Sequence, residues 1–237
     1  MRATVESSRF GRERAPLWRA GVGRHLFAVA ASLVLLVPAL SPAAADGLGY
    51  DGLPPQELCG LCHGLNGISA TSKFPKLAGQ KPAYIEKQLH DFVSGKRANG
   101  GGQMSNIVTE ITTENYAVVA DYFGNLPPPP AADSGELQLS PQDVELGRQL
   151  FENGHPERGL PACKTCHEDA NDVAPYAPLL TAQHQDYLQK QLLDFKSGER
   201  SNDSTGTMQK VASLLEETEI AALAAFLSIT PRARSKP

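Results

Sequence analysis

The sequence predicts an all-α protein built as two tandem halves, and three observations carry that prediction. Apolar residues recur at helical spacing with no convincing alternation of strand type, one segment returns about a hundred positions later, and a proline run separates the two copies. The returning segment is Tyr84 to Asn99, which reappears as Tyr187 to Asn202 at an offset of 103. Between the copies, Leu126-Pro-Pro-Pro-Pro-Ala-Ala-Asp-Ser-Gly135 cannot continue a helix and reads as a stiff, extended connector. These features divide the chain into a leader (1–45), a first domain (46–126), a linker (127–136) and a second domain (137–237).

The leader is read from Arg2, Arg9, Arg12, Arg14, Arg19 and Arg24, the apolar run Leu26 to Val37, and the small-residue cleavage site Ala43-Ala44-Ala45. The apolar run is short against the roughly 20 residues of a membrane span. In the first domain Tyr84, Ile85, Gln88, Leu89, Phe92 and Val93 share one helical face, and Gly95 supplies the stop. Tyr187, Leu188, Leu192, Phe195 and Gly198 repeat the pattern. Each domain closes with a further helix: one capped by Thr112 or Thr113 and running through Tyr116, Val119, Ala120 and Phe123, the other from Glu216 to Ile229. Ser140-Pro141-Gln142-Asp143 starts a helix carrying Gly147 and Phe151. The first domain has only Asp46 to Leu58 before its first cysteine, so its leading helix is expected to be shortened or absent and that side less covered.

The chemistry sits in two copies of one phrase, Cys59-Gly-Leu-Cys62-His63 and Cys163-Lys-Thr-Cys166-His167, which use every cysteine of the chain. Two thiols three positions apart can reach both vinyl groups of one porphyrin, and the adjacent imidazole then lies under the iron; this is the covalent haem c pattern. A zinc ribbon wants its second pair roughly 15 to 20 residues on, whereas Cys62 and Cys163 stand 101 positions apart. A redox dithiol or disulfide explains either pair alone, not a histidine behind both. Each half is also small for a pure side-chain core, and a buried porphyrin would add the missing apolar surface.

Two methionines remain once the leader is removed, and Met104 and Met208 both lie 41 positions after their haem histidine. Met104 follows a glycine run and Met208 a polar Ser-Thr-Gly-Thr stretch, so neither reads as a core filler on an apolar face. A polar loop presenting one thioether suits a distal iron ligand, and His/Met ligation raises the reduction potential relative to bis-histidine haem. His90, His155 and His184 have no symmetric counterparts and read as surface or packing residues. Pro75 and Pro178 do repeat; each is a rigid turn, or a carbonyl that orients the haem histidine. Arg97 and Arg200 recur past a helix end, where a cation is favourable, and would equally pair with haem propionates.

Cleavage of the leader takes the formal net charge from −4 to −8 by removing six basic and two acidic residues. That balance argues against nucleic acid or anionic lipid as a partner.

The phrase Cys-x-x-Cys-His-Gly-x-Asn-Gly at 59–67, the Tyr-x-x-x-Gln-Leu-x-Asp-Phe-x-Ser-Gly-x-Arg blocks, the paired methionines and the tandem arrangement resemble the dihaem cytochrome c4 family. The resemblance implies two class I cytochrome c folds related by a pseudo-twofold axis, each around one covalently attached haem c. It implies Cys59, Cys62, Cys163 and Cys166 as thioether anchors, His63 and His167 as proximal ligands, and Met104 and Met208 as distal ligands. It further implies a periplasmic electron carrier rather than an enzyme. A quinol:cytochrome c oxidoreductase or a dehydrogenase would be its donor and a terminal oxidase its acceptor, with peripheral membrane association only through such partners. The other readings are a cytochrome subunit of a periplasmic flavoprotein or quinoprotein dehydrogenase, and a dihaem enzyme, for which no spare cysteine or symmetric histidine is available.

Overall fold

Several helices begin where the sequence places proline, serine or acid at a first turn. α1 (Pro55–His63) and α2 (Pro82–Val93) carry proline at the start. α5 (Pro141–Asn153) follows Ser140, which forms a capping box with Asp143. Between these lie α3 (Gln103–Ile107) and α4 (Tyr116–Gly124). After them come α6 (Lys164–His167), α7 (Gln185–Ser197), α8 (Thr207–Ser213) and α9 (Glu217–Ile229), the last capped by Glu216 with Glu219. This computed structural model describes residues 52–136, 139–168 and 174–232; the expected leader and its cleavage site lie outside them. Among the described residues there is no strand, only an isolated bridge between His155 and Leu160, and no helix is long and apolar enough to cross a membrane.

The repeated helices bury the faces their periodicity predicts. α2 buries Tyr84, Ile85, Gln88, Leu89 and Phe92, and α7 buries Leu188, Gln191 and Phe195 before Gly198 ends it in the left-handed conformation (φ 85°). Val93, placed by spacing on the same face as Phe92, is exposed instead, because it falls at the last residue of α2. Thr112 and Thr113 do not cap α4; a short 3₁₀ turn, Thr113–Asn115, leads into it with no side-chain cap. Met104 and Met208, read as loop residues, each occupy the second position of a short helix, α3 or α8, entered from a left-handed glycine.

Each half has its own apolar cluster: Ile85, Leu89, Phe92, Val119 and Phe123 in the first, Leu150, Phe151, Leu188, Ile220 and Leu223 in the second. The backbone bonds Gly79 N–H to Phe123 O (3.0 Å) and Ala182 N–H to Leu227 O (2.8 Å) fix the same register in both, so Val118 of α4 corresponds to Ala222 of α9. The correspondence exposes one asymmetry. In the second half α5 crosses α9 so closely that a Cβ on Gly147 would stand 2.1 Å from Ala222 O, and Ala222 is 1% exposed. In the first half α1 starts only at Pro55, with Pro54 before it, and Val118 is 54% exposed. The expected shortening or absence of a leading helix concerns the stretch before Cys59, of which 46–51 lie outside the described residues; 52–54 are not helical, and α1 is the helix that carries the cysteine phrase itself.

The connector does not stand away from the molecule. Pro129 is buried, Ala132 N–H donates to Ser228 O (2.9 Å), and a Cβ on Gly79 would touch Pro128.

Candidate haem sites

Helical spacing puts Cys59 and Cys62 on one face of α1, one turn apart, with His63 directly after them. Cys163, Cys166 and His167 repeat this through the single turn of α6. All four cysteines are free. Desolvation pushes the Cys59 and Cys163 thiols up to about 11, so both are neutral at physiological pH. Among the described residues no group of three or more His, Cys, Asp or Glu stands where it could hold a metal ion.

Both histidines are buried, and their rings are oriented in the same way. His63 Nδ1 lies 2.8 Å from Pro75 O, and His167 Nδ1 lies 2.7 Å from Pro178 O. A carbonyl oxygen only accepts, so Nδ1 carries the proton and Nε2 keeps its lone pair. Burial lowers both imidazole pKa values, against the opposing effect of those carbonyl bonds; at His167 the nearby Lys81 and Arg200 charges lower it further. A neutral, carbonyl-oriented imidazole with a free Nε2 is the form that ligates iron.

Both sets of residues face one cavity of about 1560 Å³. Cys59, Cys62, His63 and Met104 line it from one half, and Cys163, Cys166, His167 and Met208 from the other. Protein interiors leave few voids larger than a water, and a single ligand site spans about 300–1,000 Å³. The volume therefore suits two large flat ligands rather than one. The methionines are held differently. Met104 packs against the first apolar cluster beyond Gly101 and Gly102, both in the left-handed conformation. Met208 is tied by its backbone N–H to Asp203 Oδ2 (2.8 Å), and Asp203 also accepts from Thr205. Burial works against the Asp203 charge, yet these bonds hold its carboxyl below the usual aspartate value. The first half has Gly100 at the matching position.

Arg97 and Arg200 line the same cavity, and the structure puts both in a buried pseudo-twofold network between the halves. Arg97 donates to Gln88 (2.7 Å) and Asn99 (3.0 Å) of its own half and to Gln191 (2.9 Å) and Tyr187 (3.1 Å) of the other. Arg200 mirrors it with Gln191 (2.8 Å), Asn202 (2.9 Å), Gln88 (3.2 Å) and Tyr84 (3.3 Å). Each guanidinium also stacks on a phenylalanine, Phe92 or Phe195. Asn99 and Asn202 complete the exchange by donating to Asp194 and Asp91 across the seam. Neither role read from the sequence for these arginines anticipates this one. The Tyr84 to Asn99 repeat contained the signal: a buried glutamine, aspartate and asparagine recurring at one offset marks a surface that pairs with its own copy. Of the other histidines, His90 lies exposed beside Glu86, and His184 bridges the halves through Ser69 (2.8 Å).

The cavity and its donors fit two porphyrins: paired thiols within reach, a prepared imidazole, a thioether on the same cavity, and apolar walls. The comparisons with known proteins agree. A family model described as cytochrome c matches residues 144–230. Cytochrome c4 of Pseudomonas aeruginosa is 36% identical over 200 residues, covering 83% of this chain and 95% of that protein. A thiosulfate dehydrogenase electron acceptor of Stutzerimonas stutzeri is 31% identical over 204 residues, covering 84% and 92%. Among solved structures, reduced recombinant cytochrome c4 from Pseudomonas stutzeri superposes with a TM-score of 0.64 at 32% identity, covering 74% of this chain and 96% of that one. The chain belongs to the cytochrome c4 family of dihaem c-type electron-transfer cytochromes.

Proposed function

We propose that the protein is an exported, periplasmic electron shuttle that takes electrons from a quinol:cytochrome c oxidoreductase or a dehydrogenase and passes them toward a terminal oxidase. One observation carries the electron-carrier reading: in each half a buried, neutral imidazole and a thioether face the same cavity at the same sequence interval. Cys59 and Cys62 would anchor the first haem between His63 and Met104, and Cys163 and Cys166 the second between His167 and Met208. Haem supplies a one-electron iron couple whose potential is set by its axial ligands and surroundings. The chain's own part is to keep each histidine in the Nδ1–H form through Pro75 or Pro178, to bury the site, and to join the halves through the arginine network. Two ligands per iron leave no position for substrate, which supports a carrier.

The test is carbon monoxide titration of the reduced, fully loaded protein beside an electron count. Two one-electron equivalents and no carbon monoxide complex at neutral pH are expected; stoichiometric carbon monoxide binding would overturn the reading. Direction is tested with membranes containing a haem-copper oxidase, which should oxidise the reduced protein.

A second reading, that the protein is the cytochrome subunit of a periplasmic dehydrogenase, is favoured by the similarity to the thiosulfate dehydrogenase electron acceptor of Stutzerimonas stutzeri. Purification of the native protein in a stable complex with a large dehydrogenase, and not alone, would select it.

A further inference from the structure

We infer that Gln80 and Gln183 are positioning residues for the haem of the opposite half, each acting through a single peptide group. The peptide between Pro75 and Lys76 has its carbonyl on His63 Nδ1 (2.8 Å) and its N–H on Gln183 Oε1 (2.8 Å), although Gln183 belongs to the second half. The peptide between Pro178 and Leu179 repeats the arrangement. Its carbonyl accepts from His167 Nδ1 (2.7 Å), and its N–H donates to Gln80 Oε1 (2.8 Å) of the first half. Each glutamine then closes a ring on the same residue. Gln183 Nε2 donates to Lys76 O (2.9 Å), and Gln80 Nε2 donates to Leu179 O (2.9 Å).

Both glutamines are 4% exposed, and each oxygen is aimed by a bond from the next residue's amide, Lys81 or His184 (both 3.0 Å). The result is two crossed chains, imidazole to peptide to amide, running from one half into the other. Hydrogen bonds in such a chain polarise one another. An acceptor on the peptide N–H makes its carbonyl a stronger acceptor for Nδ1–H. The imidazole then carries more negative charge and donates more strongly to the iron, which favours the oxidised state. The crossing makes a specific pattern. Loss of the Gln183 oxygen raises the potential of the first haem, and loss of the Gln80 oxygen raises that of the second.

This inference rests on His63 and His167 as iron ligands. Its test uses the fully loaded protein carrying Gln183→Met or Gln80→Met, variants of matched length without an acceptor oxygen, with Gln183→Glu and Gln80→Glu restoring one. Spectroelectrochemistry resolves the two haems, and hyperfine-shifted proton resonances assign each. The expected result is a reduction equilibrium shifted about threefold to tenfold at the opposite haem only, tenfold being 59 mV for one electron. The glutamate variants should return toward or below the wild-type potential. A shift confined to the haem of the glutamine's own half, an equal shift at both, or none with the visible spectrum intact overturns the inference while leaving the ligand assignment standing. A wild-type spectrum without histidine–methionine character would overturn the assignment itself. Where a variant fails to fold, hydrogen exchange in the wild-type protein decides: slow exchange of the Lys76 and Leu179 amides is required, and fast exchange excludes the relay.

Discussion

Replacing Gln88 by leucine removes an acceptor that both halves use. Its Oε1 takes bonds from Arg97 Nη1 (2.7 Å), Arg200 Nη2 (3.2 Å) and Asn202 Nδ2 (2.9 Å), and the residue is 8% exposed. Asn202 keeps Asp91 and Arg200 keeps Tyr84, so the loss falls mainly on the two guanidinium bonds. Hydrogen bonds to charged groups contribute about 1.5–3 kcal/mol each. Burying a leucine in place of the amide returns on the order of 1 kcal/mol. The net cost is about 3 kcal/mol, roughly a hundredfold in the folding equilibrium. Guanidinium unfolding of the loaded protein, followed by Soret absorbance and circular dichroism, should show the midpoint falling accordingly. Gln88→Glu, which keeps the acceptor and pairs with two cations, should stay within about 1 kcal/mol of wild type. Gln191→Leu should match Gln88→Leu by symmetry, and the double variant should cost less than the sum because both disrupt one network. A loss below about 1 kcal/mol for Gln88→Leu, or simple additivity, would refute the network as a stabilising unit.

Met208→Ala should abolish the methionine-to-iron charge-transfer band of one haem and lower its potential, and Met104→Ala should do so for the other; both bands surviving either change would remove the methionines as ligands. Asp203 has a folded pKa below its ordinary 3.8, so the stability it contributes is present above that value and is lost as pH falls through the folded one. Asp203→Asn should therefore flatten the acid limb of a stability-against-pH curve measured by denaturant unfolding, with the methionine band of the second haem weakening first. Gly147→Ala places a methyl 2.1 Å from Ala222 O and should cost about 3 kcal/mol by forcing α5 off α9, read as a lower thermal midpoint with the first half's spectrum unchanged. Ala182 is a non-glycine residue in the left-handed region (φ 56°) where the first half has Gly79 (φ 62°). Ala182→Gly should then leave stability unchanged or raise it by up to about 1 kcal/mol, whereas Gly79→Ala should lower it.

The fold was legible wherever the sequence repeated itself. The repeated amphipathic segments placed α2 and α7, and outside the repeat the Ser140-Pro141-Gln142-Asp143 start signal and the apolar run from Glu216 to Ile229 placed α5 and α9, because short-range periodicity and capping decide those elements. The positions of Met104 and Met208 were legible as an equal interval, but their short helices were not. Five or seven residues entered from a glycine carry no periodic signal, and the turn is set by left-handed backbone at Gly102 and Gly206. The carbonyls of Pro75 and Pro178 were found because proline repeats near each histidine. The arginine network and the crossed glutamines were not found, although Gln88 and Asn99 lie in the repeated segment and Gln80 recurs as Gln183 at the same offset of 103 just before it. A polar residue on an otherwise apolar helix face looks like solvent exposure until its partner, ninety or more positions away, is in place. Pairing across a pseudo-twofold seam is a property of the assembled halves.

Near the end of the described chain, Arg232 reaches back and holds both halves at once, donating to Thr181 O (3.0 Å) and to Ala78 O (2.8 Å). Its guanidinium is a latch whose two catches are separated by about a hundred residues, one on each half. Both catches must already stand side by side for the bolt to reach them, so the latch reports on docking and does not drive it. A chain carrying Arg232→Leu would keep the arginine network and the crossed glutamines and lose only this last tie, opening the seam from its far edge.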